Sequence, residues 1–533
     1  MTRMGQRCVW IGVVMALAAL LRMGHLAHRP MHADEAVHAV KLGLLLDHGT
    51  YQYDPHEFHG PTLNYLTRPI AALRGQHRYA DLDEITLRLV PALFGLALVA
   101  LPLVCRSSLG WKATLWAMAF TAVSPGLVFY SRCYIQETLL VFFTFGLGVS
   151  AWRYLQDHGV LWALLAGVCA GLMHATKETA VIAWACLATA GLATWLRHRR
   201  RHPGVLPTPG VCPGHLALAL AAAVLVSALF YSSFLSNPKG VVDSLRTLGA
   251  YLARAGGDGR HVHAWHYYLD LLTWVRFWDR PHWNEDFTIL MAAVGLAYVV
   301  THRPMQTCDP RLARFLAAYT LAMTVVYSAI PYKTPWCMMG ALHGMILVSA
   351  IAAAELTQSF RSGRARALGI TAILGLGVVS PLAQAYLLNG RYDSVPANPY
   401  VYAQTSTDIF SVVERVRQVA AVHPRAKAMV VQVVCPEADY WPLPWYLRDF
   451  TAVGYYQAVD FNAPAGDVIL AKPDVEPDLV RLFYEVPPAG ERPLYVPLLD
   501  PGTRLRPGVA LRGYVRKDLW DRLPSPGDAN DVR

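Results

Sequence analysis

Charged residues are scarce in this sequence. Only 16% of its 533 residues are Asp, Glu, Lys or Arg, and 54% are hydrophobic, whereas soluble proteins carry about 25% charged residues. The apolar residues are gathered in runs long enough to cross a ~30 Å hydrocarbon layer as α-helices. This composition excludes an ordinary soluble protein and predicts a polytopic membrane protein.

Cysteine pairs and internal repeats are also absent. The nine cysteines lie mostly within or beside apolar runs and form no C-x-x-C pair, which argues against a zinc knuckle or a disulfide framework. We interpret them as small core residues. The net charge of +10 is distributed between the apolar runs, so it indicates cytoplasmic loops and no nucleic-acid partner.

Eleven apolar runs are candidate transmembrane spans. The first resembles a signal-peptide core, but no A-x-A-like cleavage site follows it, and we interpret it as an uncleaved span. Alternate connections are short and basic, which places them and the N-terminus in the cytoplasm and the C-terminal end outside the cytoplasmic membrane. The runs are 8–26, 86–105, 113–130, 134–152, 160–176, 178–196, 215–235, 286–301, 312–330, 337–356 and 367–388.

Residue composition and periodicity divide the chain into two predicted domains. Residues 1–389 hold the spans and a long outer loop at 27–85. In residues 390–533, short β-like runs alternate with Pro, Gly and Asp, and residues 407–422 have helical periodicity. We therefore expect a polytopic α-helical domain followed by a small extracytoplasmic α/β domain.

The outer loop gathers carboxylates and imidazoles. Asp34 and His38 stand one helical turn apart in "DEAVHAVKLGLLL" (34–46), which suits a helix lying in the membrane interface; an ordinary solvated loop is the alternative. The histidines match no metal-binding motif, so no metal site and no required cofactor are predicted, while a divalent ion at the acidic pair stays open. The cluster comprises His32, Asp34, Glu35, His38, Asp54, His56, Glu57 and His59.

Three short outer connections carry ionisable residues against the positive-inside bias. A side chain that snorkels to the headgroups explains any single one. Together, and opposite an acidic loop, their cations predict binding of an anionic group such as a lipid phosphate or pyrophosphate. The residues are Arg132 and Glu137 in "YSRCYIQE", His174, Lys177 and Glu178 in "HATKETA", and Tyr332 and Lys333 in "PYKTPW".

A carboxylate beside a lipid-phosphate site predicts a reaction type. In group transfer from a phospho-lipid, a positioned Asp or Glu takes the proton of the attacking hydroxyl or amine. The cations meanwhile stabilise the charge on the leaving phosphate. Either Asp34 or Glu35 is a candidate for this base.

These motifs resemble those of membrane glycosyltransferases of the GT-C fold, which use polyprenyl-phosphate-linked sugars. Such enzymes include the family 39 protein O-mannosyltransferases, also called the dolichyl-phosphate-mannose protein mannosyltransferase superfamily. They also include the lipid A aminoarabinose transferases. The stretch from about residue 5 to 450 is similar to a family 39-like subfamily labelled flippase-activity-associated protein. The motifs are "HADEAVHA", "FHGPTLNY", "YSRCYIQE", "ATKETA", "PYKTPW", "NPYVYAQTS" and "YWPLPWYLR". The resemblance implies a GT-C-like bundle of about eleven helices. It also implies transfer of a sugar from a polyprenyl-phosphate donor in the lipid bilayer to a glycan, lipid or protein acceptor.

The resemblance also implies residue roles. Asp34 matches the acidic residue of the first loop that acts as the catalytic base or orients the acceptor, with Glu35 as the weaker candidate. Arg132, Lys177 and Lys333 stand at places suited to the lipid phosphate. The remaining predicted substrate contacts are His59, to which no step is assigned, Glu137, which stands where an aspartate is half expected, Glu178 and Tyr332.

The tail contains an aromatic-rich segment, "CPEADYWPLPWYLRDF" (435–450). Trp441 and Trp445 are candidates for stacking on a sugar ring of the acceptor. The alternative is that these aromatic side chains dock the tail onto the membrane domain.

A second class of function competes with the enzyme. A transporter or flippase component would move the lipid-linked sugar without transferring it, and would be expected to show repeats and broken helices near the membrane midplane. The sequence instead concentrates its ionisable groups at one interface, which favours a glycosyltransferase.

Overall fold

Helices dominate the first 389 residues. The computed structural model describes residues 2–56, 59–201, 211–255, 261–273, 283–301, 304–488 and 490–524; Glu57 of the predicted acidic cluster lies outside them. The helices of this part are α1 (Arg3–Met23), α2 (Ala33–His48), α3 (Thr62–Leu73), α4 (Glu84–Ala100), α5 (Arg106–Val123), α6 (Pro125–Tyr130), α7 (Glu137–Asp157), α8 (Val160–Thr176), α9 (Ala180–Arg201), α10 (Pro213–Tyr231), α11 (Lys239–Ala255), α12 (Tyr267–Leu272), α13 (Asp286–Val300), α14 (Pro310–Ala329), α15 (Met339–Ser359), α16 (Gly363–Leu374) and α17 (Ser380–Asn389).

Eight described segments are long and apolar enough to cross a membrane. One of them, residues 84–123, contains both α4 and α5, which a short 3₁₀ turn joins, and the apolar helices α8 and α13 are shorter. Each of the eleven predicted runs therefore coincides with an apolar helix or helix pair. The prediction of a polytopic α-helical membrane protein is confirmed.

The loop between α1 and α4 forms two helices, α2 and α3. The start of α2 is fixed by a reciprocal cap, in which the Asp34 amide donates to His32 Nδ1 (3.1 Å) and the His32 amide donates to Glu35 Oε2 (2.9 Å). Gly49 ends the helix in the left-handed conformation (φ 74°), which glycine adopts without strain. The predicted helix at 34–46 is thus present as α2, and its cap orients both acidic residues.

The tail forms a small α/β unit, as predicted. Its five-stranded sheet has the order β2-β1-β3-β7-β4, with β1 parallel to β2 and β3, and β7 antiparallel to β3 and β4. The predicted helix at 407–422 is present as α18. The elements are α18 (Asp408–Val422), β1 (Val431–Val434), α19 (Leu443–Tyr446), β2 (Val453–Tyr456), β3 (Val468–Ala471), α20 (Glu476–Tyr484), β4 (Tyr495–Pro497), β5 (Arg504–Arg506), β6 (Val509–Ala510), β7 (Arg512–Arg516) and α21 (Lys517–Trp520).

One hydrophobic core joins the tail to the outer loop. It combines buried side chains of α2 and α3 with those of α18 and β1. Hydrogen bonds reinforce the junction: the Met31 amide donates to the Tyr446 hydroxyl (2.9 Å), and the Thr405 hydroxyl donates to the Met31 carbonyl (2.7 Å). The tail is therefore packed on the segment that leads directly into Asp34.

Candidate active site

The predicted outer connections meet at one end of the helix bundle. Arg132, which precedes α7, reaches the carbonyl oxygens at the end of α1. Lys177, which follows α8, pairs with Glu137 at the start of α7. Tyr332, between α14 and α15, lies in the electrostatic field of both Asp34 and Lys177. The first loop and all three connections thus form a single polar layer.

Asp34 is a partly exposed acid of this layer. It lies in the first turn of α2 with 42% of its side chain exposed. His32 Nε2 lies 2.8 Å from the Tyr402 carbonyl oxygen, which can only accept, so Nε2 carries the proton and Nδ1 accepts from the Asp34 amide. This arrangement fixes the backbone of Asp34 and leaves its carboxylate available to a substrate.

Glu35 is completely buried one residue further on. Arg88 donates to its two oxygens from Nε (2.9 Å) and Nη2 (2.8 Å), and Arg29 approaches both at 3.4 Å. The amides of His32 (2.9 Å) and Tyr134 (2.8 Å) also donate to it.

These contacts decide the protonation of Glu35. Burial alone would raise the pKa of its carboxyl, but the charges of Arg88 and Arg29 hold that pKa well below its usual range. A buried carboxylate saturated with donors cannot accept a proton from an acceptor molecule. The structure therefore argues against the predicted role of Glu35 as a base.

Arg132, like Arg88, makes buried contacts that hold parts of the protein together. Its Nη1 donates to the carbonyl oxygens of Leu21 (3.0 Å) and Gly24 (2.6 Å), at the C-terminal end of α1. Arg22 does the same for α5, donating to Thr121 and Ala122, both at 2.8 Å. Cations stabilise helix C-termini because the last carbonyls there carry partial negative charge.

We call Arg22, Arg29, Arg88, Arg132 and Glu35 the arginine cluster. Burial, followed by the neighbouring Arg29 and Arg88, lowers the pKa of Arg132 to about 10. Its guanidinium is engaged with backbone oxygens, which argues against the predicted contact between Arg132 and a lipid phosphate.

Lys177 and Glu137 form a buried ion pair. They line a small cavity of about 20 Å³ between α7, α9, α14 and α15, together with Tyr327 and Trp336. Lys177 also acts electrostatically on His38, whose pKa lies well below its ordinary value, first because of burial and then because of His59 and Lys177. We call His38, His59, Glu137, Lys177 and Glu178 the lysine–histidine cluster.

Lys333 lies under a short strap of residues 261–263. The strap forms an antiparallel bridge between Val262 and Tyr332, and the Lys333 amide donates to the His261 carbonyl (2.9 Å). The ammonium donates to the carbonyls of Ile330 and His263. Burial lowers the pKa of Lys333. These two carbonyls engage two of the three donors of the ammonium, whereas the Arg132 guanidinium donates to four carbonyls; Lys333 therefore keeps a donor for an anionic group.

Tyr332 and Tyr402 lie close enough to Asp34 to be influenced by its charge. Tyr332 is 38% exposed, and its pKa is raised by burial and by Asp34, with Lys177 opposing. The Tyr402 hydroxyl lies 2.6 Å from His261 Nδ1, and burial and Asp34 raise its pKa. Both phenols are therefore neutral hydrogen-bonding groups in the field of the candidate base.

The two tail tryptophans differ in their environment. Trp445 is fully buried: its Nε1 donates to Glu84 Oε1 at the start of α4 (2.7 Å), and the Arg448 guanidinium lies 3.8 Å from its ring. These contacts support docking of the tail for Trp445. Trp441 is half-buried, and its backbone carbonyl accepts from Arg506 (2.7 Å), so its indole stays a candidate for substrate contact.

Sequence reasoning missed several members of the site. Arg88 lies inside the predicted run 86–105, and an arginine within an apolar run was a signal for a buried partner. His261 lies in a segment with no motif, so nothing indicated its place. The others are Arg29, Trp336 and Tyr402, all of which stood in or beside quoted motifs.

Metal ligands are not grouped in this layer. Among the residues that the structure describes, no cluster of three or more His, Cys, Asp or Glu side chains has the arrangement of a metal site. His32 Nδ1, at 3.9 Å, is the imidazole nitrogen beside the Asp34 carboxylate. The imidazole–carboxylate pair His59–Glu178 belongs to the lysine–histidine cluster.

No protein-family model matches the chain, and no curated protein matches it in sequence. Among solved structures, it is similar to ArnT from Cupriavidus metallidurans bound to undecaprenyl phosphate, with a TM-score of 0.63, 15% identity, and coverage of 95% of this chain and 98% of ArnT.

A second similarity is to the archaeal oligosaccharyltransferase AglB from Archaeoglobus fulgidus in complex with an inhibitory peptide and a dolichol-phosphate. The TM-score is 0.54 and the identity 10%, with 88% of this chain and 69% of AglB covered. Both are GT-C glycosyltransferases. At these identities the likeness establishes architecture, and the predicted GT-C fold of this chain is confirmed.

Proposed function

We propose that this protein is an integral-membrane glycosyltransferase that moves a sugar from a polyprenyl-phosphate donor to an acceptor. The observation that carries the proposal is the position of Asp34 within a GT-C fold. It is a partly exposed carboxylate at the capped start of α2. Its charge and that of the buried Lys177 both act on Tyr332. ArnT has been solved with undecaprenyl phosphate and AglB with a dolichol-phosphate, which supports a lipid-linked donor here.

The reaction follows from these charges. Asp34 takes the proton of the acceptor hydroxyl or amine as that group attacks the anomeric carbon. The bond between this carbon and the phosphate oxygen breaks, and its electron pair stays with the phosphate. Lys177 and Lys333 stabilise the charge that develops there, an effect that is strongest where water is excluded.

The arginine cluster has a supporting role in this proposal. Glu35 joins α2 to Arg88 of α4 and to the Tyr134 amide, so it positions the helix turn that carries Asp34. Arg132 is assigned to the end of α1 instead of the lipid phosphate.

The proposed orientation places the polar layer on the outer face of the cytoplasmic membrane. Basic segments such as 197–201, at the end of α9, lie at the opposite end of the bundle from Lys177, which precedes α9. The positive-inside bias puts such basic ends in the cytoplasm. The tail, packed on the outer loop, is then extracytoplasmic.

The test is the Asp34→Asn variant in proteoliposomes supplied with a labelled polyprenyl-phosphate sugar. We expect turnover to fall by about 10²- to 10⁴-fold, the usual contribution of a general base. Asp54→Asn is the matched control, because Asp54 is an exposed acid of the same loop. Wild-type turnover in Asp34→Asn would refute the base, whereas lipid translocation without any sugar transfer would favour a flippase component.

A further inference from the structure

His59 and Glu178 form an imidazole–carboxylate pair that the roles assigned so far leave unused. His59 Nδ1 lies 2.8 Å from Glu178 Oε2, and the Tyr53 hydroxyl donates to Glu178 Oε1 (3.1 Å). The Glu178 side chain is 2% exposed and that of His59 is 20% exposed. A buried carboxylate thus orients an imidazole that is still partly exposed.

The loop that carries His59 is held tightly against α8. Gly60 follows His59, and a Cβ at Gly60 would lie only 2.2 Å from the Ala175 carbonyl oxygen. No side chain fits there without moving the backbone, so the glycine permits the close approach. This contact explains the glycine of "FHGP" and fixes His59 beside the end of α8, immediately before Lys177.

The pair lies near the part of α2 that carries Asp34. His38 lies one helical turn from Asp34 on α2, and its ring centroid is 6.0 Å from that of His59. The charge of Lys177 acts on both His38 and Glu178. Glu178, His38 and Lys177 are therefore charged or titratable groups near His59, which lies close both to the helix that carries the proposed base and to Lys177, the proposed phosphate cation.

We propose that His59 is a second catalytic residue, whose imidazolium gives a proton to the leaving phosphate, and that Glu178 is its positioning residue. This rests on the proposed function. The bond from the anomeric carbon to the phosphate oxygen breaks, and the resulting phosphate monoester takes the proton of His59. The acceptor's proton goes to Asp34. Exchange with solvent then restores Asp34 to the carboxylate and His59 to the imidazolium, so no co-reactant is needed.

The electrostatics of Glu178 agree with this role. Burial would raise the pKa of its carboxyl, but the charge and hydrogen bond of His59 hold it below the ordinary value. Glu178 therefore stays anionic and stabilises the protonated imidazole. The two groups also have opposite pH requirements, since Asp34 must be ionised and His59 must be protonated.

The test is His59→Gln in the full-length protein, in proteoliposomes with a labelled polyprenyl-phosphate sugar and a range of pH. We expect kcat to fall by about 10²-fold, with KM for the donor little changed, and the loss of rate at high pH to disappear. Glu178→Gln keeps the imidazole and should move that high-pH limb to lower pH, because an imidazolium without a neighbouring anion loses its proton more easily.

Two controls separate chemistry from folding. Tyr53→Phe removes the other hydrogen bond to Glu178, so a structural role would affect Tyr53→Phe and His59→Gln alike, and a catalytic role only His59→Gln. His56→Gln changes an exposed histidine three positions earlier and should keep the wild-type pH profile. Full kcat and an unchanged pH profile in His59→Gln would overturn the assignment while leaving the proposed function intact.

A binding measurement distinguishes the two proposals. In protein labelled with ¹⁵N-histidine, polyprenyl monophosphate should shift one imidazole resonance, and that resonance should be missing in His59→Gln. A wild-type protein that shows this shift but transfers no sugar would overturn the proposed function and support the phosphate contact. Absence of the shift at saturating polyprenyl monophosphate would overturn the contact.

Discussion

The arginine cluster and the lysine–histidine cluster use their cations differently. In the arginine cluster, guanidinium groups donate to backbone carbonyls at the ends of α1 and α5 and to the buried Glu35. In the lysine–histidine cluster, side chains pair with side chains, as in Lys177–Glu137 and His59–Glu178. The arginine cluster therefore holds backbone segments together, whereas the lysine–histidine cluster places titratable side chains beside one another.

The difference follows from side-chain chemistry. Arginine presents a planar fork of five donors that can serve several carbonyls at once and does not lose its charge near neutral pH. Lysine and histidine change their protonation more readily when buried or paired. Cations at a membrane boundary are therefore poor indicators of a ligand site until their acceptors are known.

The largest expected difference is between Glu35→Gln and Asp34→Asn, which replace two neighbouring acids by their amides. Glu35→Gln would leave Arg88 and Arg29 without their anionic partner, which costs about 3–5 kcal/mol of stability in a buried pair. Thermal unfolding in detergent measures this loss. Asp34→Asn should melt like the wild type while losing transfer activity.

The pH dependence of the Glu35→Gln defect has a defined sign. The pKa of Glu35 is depressed in the folded state, so its stabilisation is present above its ordinary pKa of about 4.3 and disappears only as the pH falls through the depressed value. The difference in melting temperature should therefore be constant from about pH 5 to pH 8. Equal melting of Glu35→Gln and wild type would contradict the structural role.

Arg132→Gln tests the capping of α1. Loss of the guanidinium leaves carbonyls of Leu21 and Gly24 without their donor, and hydrogen bonds to charged groups contribute about 1.5–3 kcal/mol. We expect lower thermal stability and unchanged affinity for polyprenyl phosphate, measured by titration of the detergent-solubilised protein. If Arg132→Gln instead binds polyprenyl phosphate more weakly at unchanged stability, Arg132 contacts the lipid phosphate as the sequence predicted.

Lys333→Gln is expected to do the opposite. Removing this charge should weaken polyprenyl-phosphate binding by about tenfold, equal to ~1.4 kcal/mol. Because burial lowers the pKa of Lys333, wild-type binding should decline on raising the pH before the ordinary lysine range near 10.4 is reached. Lys333→Arg should keep binding at that pH, since arginine stays charged. A pH-independent affinity in the wild type would argue against this contact.

Much of the fold was predictable because its signals are local. Apolar runs indicate spans, alternation of short β-like runs with Pro and Gly indicates the tail sheet, and the spacing of Asp34 and His38 indicates α2. These features depend on composition and periodicity over windows of a few turns. The start of α2 is likewise local, since its cap uses His32, Asp34 and Glu35.

The division of roles within the site depends on contacts across long sequence separations. Asp34 and Glu35 are adjacent acids of similar chemistry, and only the arrival of Arg88, 53 residues later, buries one of them. Arg132 could not be separated from Lys177 without knowing that the end of α1 lies beside it. His261 lies 70 residues or so from the nearest motif, and its place was set by strap pairing with Tyr332.

The two tail tryptophans are expected to differ when each is replaced by phenylalanine. Trp445→Phe removes the indole donor to Glu84 and should reduce stability by about 1–2 kcal/mol, seen as a lower melting temperature. Trp441→Phe keeps the backbone carbonyl that accepts from Arg506, so its melting should not change. If the Trp441 indole contacts the acceptor, Trp441→Phe should raise KM for the acceptor and leave KM for the lipid donor unchanged. Loss of stability in both variants would mean that the two side chains belong to the same docking contact. Recognition of the acceptor would then depend on other residues.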